Sequence, residues 1–448
     1  MGSPETDVTA GLAGFASNLQ LGQIPPDALA TAKLLLLDAL AAGFTGWNSP
    51  ETGQLLATAN RLFAGGNSTV MGGEPASLGA ATMTNGYLIT ARSLCDLHQP
   101  TLCHVTPVIV PPVLALAERE GVDGATLITA LCAGMEANVR IGLALDYPEF
   151  RSRGWHTPGV AGTIGGALGA ARVLGFDPDR AEGAMGLAAS QAAGTFASFG
   201  TPAIKFHQSR AALAALISAD LTHSGFIGPS SVLEAEDGGV LNTFSNGGRP
   251  DRAIDALGEE WRIEEITIRL WPAAAALQSI LTMTDEEDVP DVSQINSVRV
   301  ALSPASYDMN AEMGWATTFE ATLSARYVTA AALIAGDFWL DQLEGDRLGD
   351  PEVGDFAREK VTVVKDVSLP EGGASILLEL GNGEEFSVTR EHPRGSPEHP
   401  ATWRDVSAKL VRAVDPRCGA DRAGEIIAAV SAVETLDSTG ELTRLLAR

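Results

Sequence analysis

Between Thr157 and Leu174 the chain sets small residues at the spacing of a helical face. Gly162, Gly166 and Ala170 fall four apart in the run GTIGGALGAARVLG. Glycine inside a helix costs roughly 1 kcal/mol relative to alanine. A helix that keeps several must gain from close backbone approach. The glycines imitate a dinucleotide-binding turn, but no apolar strand precedes them and they run through an apparent helix interior. P-loop spacing with its Lys-Ser/Thr ending is absent throughout. The stretch therefore reads as a helix packed backbone against backbone. A composition of 45% apolar but only 6% aromatic residues suits such packing.

A chain of 448 residues is too long for one ordinary core, and two domains are expected. Helical periodicity begins after Pro25-Pro26, where Asp27 is placed to cap. It recurs over 51–63, 78–94, 125–145, 157–174, 177–193 and 209–223, with Gly and Pro between. Near Trp261 the pattern changes. Residues 262–270, 296–302 and 361–369 alternate as half-buried strands do, and Gly381-Asn382-Gly383 divides 376–388 as a hairpin turn does. Helical stretches lie at 273–284 and 319–333, and helix returns over 403–414, 419–432 and 441–447. The expected fold is mainly α: a large all-helical domain of residues 1–264 with 400–448, and a smaller α+β domain of residues 265–399.

The formal net charge of −26 opposes binding to nucleic acid or anionic membrane surfaces. An anionic substrate then needs a local cationic pocket. Cys95, Cys103, Cys132 and Cys418 form no CxxC pair, and no compact zinc ligand set is present. They read as reduced thiols, small and apolar, in a cytoplasmic protein. The N-terminal MGSPETDVTAGLAGF lacks a basic region followed by an apolar one, so no signal peptide is expected. The apolar runs Leu34–Leu37 and Val108–Val113 are too short to span a bilayer.

Three places set unusual polar groups beside tight backbone. Asp96, His98 and His104 lie in a stretch broken by Pro100. Histidine titrates near neutrality, and a carboxylate beside it orients the ring. The stretch reads equally as a capped loop with two surface histidines. His156 lies at an apparent helix start near Arg151 and Arg153, either of which can pair a carboxylate. Capping with solvated arginines is the other reading. Lys205 sits in a Gly/Pro-rich turn, as a buried base, an anion clamp or an ordinary surface lysine.

These places occur in a fixed order: a His-bearing loop, Gly154-Trp155-His156, a lysine turn, an α+β segment, and finally HPRGSPEHP at residues 392–400, ahead of Trp403 and Lys409. In this order, and above all in the closing HPRGSPEHP, the chain resembles the MmgE/PrpD family along its whole length. The resemblance implies a chorismate-mutase-like topology for the smaller domain, a homodimer, a small polycarboxylate substrate, and no metal or organic cofactor. It implies His104, His156 and Lys205 as catalytic residues, and Asp96 is read beside them as the catalytic carboxylate that orients one imidazole. Arg151, Arg153, His98, Tyr307 and Gln278 are the expected substrate-binding residues.

Two departures from the family pattern steer the expected activity. Leu94-Cys-Asp-Leu-His98 keeps one carboxylate, Asp96, where the dehydratases and decarboxylases carry more. Residues 271–278, WPAAAALQ, replace polar positions by alanine and Gln278. The expected reaction is therefore epimerisation of an aminopolycarboxylate such as iminodisuccinate, an isomerase reaction, with His104 and His156 exchanging the α-proton on opposite faces. Lys205 is an alternative base, and Lys205 with Arg151 or Arg153 stabilises the enediolate. The alternatives are a dehydratase or decarboxylase of a citrate- or aconitate-like tricarboxylate and, from another class, a non-enzymatic helical interaction protein.

Overall fold

The structure, a computed structural model, describes residues 7–448; the first six residues of the stretch read for a signal peptide lie outside the described residues. The chain forms two compact units. One runs to Ile266 and resumes over Trp403–Arg448; the other is Thr267–Thr402. The fold is mainly helical, with a smaller α+β part.

The larger unit is built on six helices that matter for the site: α1 (Pro26–Thr45), α2 (Leu78–Thr90), α3 (Thr106–Glu120), α4 (Gly124–Ala144), α5 (Thr157–Val173) and α6 (Ala203–His223). The small-residue helix α5 is their hub. It packs on α3, α4 and α6, and every residue in it except Arg172 is buried. A Cβ on Gly165 would lie 2.6 Å from Asn138 Cβ of α4, one on Gly166 2.8 Å from Ala215 Cβ of α6, and one on Gly169 2.8 Å from Val113 of α3. The glycines thus serve three neighbours at once, as close packing requires. Dispersion attraction along the three interfaces offsets their poor helix propensity.

Local signals set several helix ends. Asp123 accepts the Thr126 N–H at 2.8 Å to start α4, and Ser77 caps α2 in the same way. Asp27 is not the cap of α1. Pro25 holds that position and Asp27 falls in the first turn, where its charge complements the helix dipole. Helix α6 begins six residues earlier than its periodicity predicts, because Pro202 opens it without needing an N–H. Lys205 and His207 therefore stand on a helix, not in a turn. The strand expected over 262–270 is a tight helical turn, Arg262–Glu265, with two extended residues after it. Glu136, buried on α4, accepts the N–H groups of Arg262 (3.1 Å) and Ile263 (3.0 Å) and bends the backbone away from a ladder.

The expectation about membrane length also needs correction. Pro26–Asn48 and Gly124–Ala144 are each long and apolar enough to cross a bilayer, but 72% and 94% of their apolar windows are buried inside the protein. They are core helices.

The smaller unit carries a four-stranded sheet with β1 (Ile295–Leu302), β2 (Val361–Lys365), β3 (Ala374–Leu380) and β4 (Glu385–Arg390) in the order β2-β1-β3-β4. The β1–β2 pair is parallel and the other two are antiparallel. Gly383, with φ of +87°, closes the β3–β4 hairpin. Helix α7 (Gln278–Glu286) lies against β3 and β4. The segment 392–400 is an ionic staple on this helix. Arg394 pairs Asp285 at 2.5 Å and lies over Trp271, and its backbone N–H donates to the Thr282 hydroxyl. His399 approaches Glu286 at 3.7 Å. The carbonyl of Gly395, a residue at φ +104°, accepts the Ile268 N–H at 2.9 Å.

Candidate active site

The stretch 94–104 is held from below. Lys409, 3% exposed on the helix Trp403–Cys418, donates to Asp38 of α1 at 2.5 Å and to the Leu94 carbonyl at 2.6 Å. The Gln99–Leu102 turn then folds the chain so that His98 and Cys103 exchange backbone bonds at 2.9 and 3.3 Å. The Cys103 thiol donates to Asn138 at 3.2 Å, and burial pushes its pKa well up, with the Asp96 charge adding to the effect. All four cysteines are thiols outside any disulfide. Three are buried, and Cys418 is half-buried.

Asp96 orients an imidazole, but not through its carboxylate. Its peptide carbonyl accepts from His104 Nδ1 at 2.7 Å. A carbonyl only accepts, so His104 carries a proton on Nδ1, and Nε2 is the nitrogen whose protonation can change. The Asp96 carboxylate instead accepts the N–H groups of Val105 (2.7 Å) and Thr106 (3.0 Å) and the Thr106 hydroxyl, capping α3.

His98 is not available to a substrate. It is fully buried, with Nδ1 on the Thr101 hydroxyl at 2.8 Å and Nε2 on Glu265 at 3.2 Å. Both ring nitrogens tie the loop to the Arg262–Glu265 turn. Burial of Glu265 alone would raise its pKa. The hydrogen bonds from His98 and Arg262 outweigh that and lower it.

His156 is the N-cap residue of α5, and its N–H donates to the Gly194 carbonyl at 2.9 Å. The next residue, Thr157, donates to the Thr101 carbonyl at 2.8 Å and so joins this helix start to the His98 loop. The His156 ring is 7% exposed, lies edge-on to Phe196, and meets His207 with the two Nδ1 atoms 3.1 Å apart. Its pKa falls well below 6.5 through burial first, then through the nearby charges of His104, His207 and Arg151. His156 is thus a neutral imidazole at neutral pH, within electrostatic reach of His104.

Arg151 stacks on Phe196 with its guanidinium 3.6 Å from the ring centroid. Arg153 lies outward, 41% exposed and 3.8 Å from Glu149, an ordinary solvated pair rather than a carboxylate clamp. Lys205, half-buried in the first turn of α6, donates to the Ala91 carbonyl beyond the C-terminus of α2. Four sequence candidates therefore share one neighbourhood in the larger unit: Asp96 through its carbonyl on His104, and His104 and Arg151 through their charges on His156, while Lys205 is placed by its bond to Ala91. Sequence reasoning assigns no role to His207. It stands two positions after Lys205 with no local feature of its own, and only the start of α6 at Ala203 turns it toward His156.

Tyr307 and Gln278 belong to the smaller unit. Tyr307 lies on the helix Pro304–Asn310 with the Lys365 amine 5.2 Å from its ring centroid. Gln278 is 1% exposed, and its amide is spent on the backbone. It accepts from Leu270 and Trp271 and donates to the Trp271 and Ala273 carbonyls at 3.0 and 3.1 Å. It shapes the turn at 271–273 and has no capacity left for substrate. Among the described residues, no group of three or more His, Cys, Asp or Glu is arranged to hold a metal ion.

A helical unit with paired histidines at a helix start, joined to an α+β unit, defines a class, and comparison with known proteins names it. The MmgE/PrpD N-terminal domain matches residues 10–253 and the MmgE/PrpD C-terminal domain matches residues 271–435; the chain belongs to the MmgE/PrpD family. It is 29% identical to a cis-aconitate decarboxylase-like protein of Aspergillus oryzae, covering 99% of this chain and 98% of that one. It is 29% identical to cis-aconitate decarboxylase of Aspergillus terreus, over 88% and 86% of the two chains. The human cis-aconitate decarboxylase is 22% identical, over 98% and 94%.

These relatives overturn the expected epimerisation of iminodisuccinate, and with it the isomerase class. Two of them are named as decarboxylases, which are lyases, and the third as decarboxylase-like. The error lay in reading the missing second carboxylate and the alanines of 271–278, as loss of a proton donor for a leaving hydroxyl or of a clamp for a third acid group, against decarboxylation as well as dehydration. Departing hydroxide needs a proton donor. Departing CO₂ does not.

Proposed function

We propose that this chain is a lyase that decarboxylates an unsaturated tricarboxylate of the cis-aconitate type. The observation that carries this reading is the near full-length similarity to proteins named for that reaction. The site chemistry supports it. In cis-aconitate one carboxylate sits on a CH₂ next to the double bond. When the C–CO₂ bond breaks, its electron pair forms a new double bond to the central carbon. The former π pair moves to the far carbon, beside another carboxylate, and that carbon takes up one proton. The reaction needs one acid, cations for the retained carboxylates, and nothing that binds the departing one tightly.

His104, with Nδ1 held by the Asp96 carbonyl, delivers the proton from Nε2. Neutral His156 hydrogen-bonds a retained carboxylate without adding a second titrating cation. Lys205 and Arg151 supply the positive charge that the chain's net −26 makes scarce elsewhere.

The test is proton NMR of cis-aconitate with purified protein in D₂O, with CO₂ trapped in parallel. One CO₂ is expected per unsaturated dicarboxylate formed, with a single solvent deuteron on the new saturated carbon. Absence of CO₂ release, or conversion of cis-aconitate to a hydrated product, overturns the reading.

A further inference from the structure

His207 lies outside every role described so far, yet it hydrogen-bonds the His156 ring directly. We propose that His207 is a positioning residue: it pins the His156 ring through the Nδ1–Nδ1 hydrogen bond and thereby reserves Nε2 of His156 for the substrate.

Three observations carry this. First, the His156 backbone is already fixed by the Gly194 carbonyl at 2.9 Å and by its place at the start of α5. Only ring rotation and tautomer remain to be set. Second, two Nδ1 atoms 3.1 Å apart can share one proton but not two. With that proton between the rings, Nε2 is the remaining ring nitrogen of His156. Third, His207 is itself seated. Its Nε2 meets the Ser198 hydroxyl at 3.4 Å. Gly194, at φ +143°, leaves room for its ring, because a Cβ there would lie 2.9 Å from His207 Nδ1. One glycine thus holds the His156 backbone by its carbonyl and admits His207 by lacking a side chain.

Burial first, and then the surrounding charges, keep the pair neutral. His104 and Arg151 act on His156 from the 94–104 stretch and the helix Tyr147–Ser152. Burial lowers the pKa of His207, and Arg210 on α6 adds to it. A neutral imidazole has two tautomers open to it, and the hydrogen bond between the rings selects one.

The catalytic consequence rests on the decarboxylase reading; the pairing itself does not. The experiment is ¹⁵N NMR of histidine-labelled full-length protein, with His156 assigned through His156→Gln, alongside turnover of cis-aconitate. In the wild type the two ring nitrogens of His156 should show the separated shifts of one fixed tautomer. His207→Phe keeps a ring but no nitrogen, and should move them toward the averaged values of a tautomer mixture. The same variant should lose about 10–100-fold in kcat with KM nearly unchanged, as loss of an orienting partner does elsewhere. His207→Asn puts a polar atom where Nδ1 lies, and should recover most of the rate and the fixed tautomer. Unchanged His156 shifts in His207→Phe overturn the proposal. So does equal impairment of folded Asn and Phe variants, which would mean a packing role only. If the wild type fails to turn over cis-aconitate, the decarboxylase reading falls while the NMR still decides the pairing.

Discussion

Lys409→Met tests how the histidine stretch is supported. The Lys409 amine bonds Asp38 at 2.5 Å and the Leu94 carbonyl at 2.6 Å, with Asp38 fully buried and Lys409 3% exposed. Methionine keeps the volume and removes the charge. Asp38 then stays buried without this ammonium group beside it, a loss of about 3–5 kcal/mol in comparable pairs. The orphaned Leu94 carbonyl is part of that loss, on the order of 1 kcal/mol. At roughly 2 °C per kcal/mol for a large domain, the melting temperature should fall by about 6–10 °C. The double variant Asp38→Leu with Lys409→Met removes both charges and should recover most of it, because desolvation of the pair disappears with the pair. Calorimetry of the three proteins reads this directly. A single variant within about 2 °C of wild type, or a double variant no better than the single, refutes the reasoning.

Other outcomes follow from the same geometry. His156→Gln should lower kcat by about 10²–10⁴-fold while the protein stays folded by circular dichroism. The pH dependence of stability has a defined sign. The folded pKa of His156 lies well below 6.5, so below pH 6.5 the unfolded chain binds the extra proton. Its contribution is complete above pH 6.5 and is lost as pH falls toward the folded value. Urea titrations of His156→Gln should show an acid-side slope shallower by up to about 1.4 kcal/mol per pH unit. Gly165→Ala places a Cβ 2.6 Å from Asn138 Cβ and 2.8 Å from its Cα. Backbone cannot rotate aside, so urea unfolding should show a loss of roughly 1–3 kcal/mol despite the better helix propensity of alanine. Gly395→Ala would set a Cβ 2.0 Å from the Ile268 carbonyl at a left-handed φ, and limited proteolysis should cut near residues 390–400.

Periodicity is a sound guide wherever helix and core agree. The runs behind α1, α4 and α5 need only one buried face or an all-round apolar surface, and both are local properties of sequence. The hairpin at 381–383 is equally visible, because its turn residues are specific. The strand expected over 262–270 fails for a non-local reason: Glu136, more than a hundred positions earlier, takes its N–H groups. The same cause separates the readable from the unreadable parts of the site. His104, His156 and Lys205 stand out by residue type and flanking Gly and Pro. Gln278 and His98 stand out too, but their hydrogen bonds are spent inside the protein, which only coordinates reveal.

Sequence by itself determined the class of fold, the helix with small residues on three sides, the family, and the short list of ionisable groups. These depend on local pattern and motif order, which the chain carries in one dimension. Tertiary structure decided which of those groups are committed to holding the fold and which meet one another. Asp96 spends its carboxylate on a helix start and its carbonyl on His104, Arg153 is left in solvent, and His207 is brought to His156 across 51 positions. A side chain's role depends on which of its donors and acceptors are already satisfied, and partners distant in sequence satisfy them.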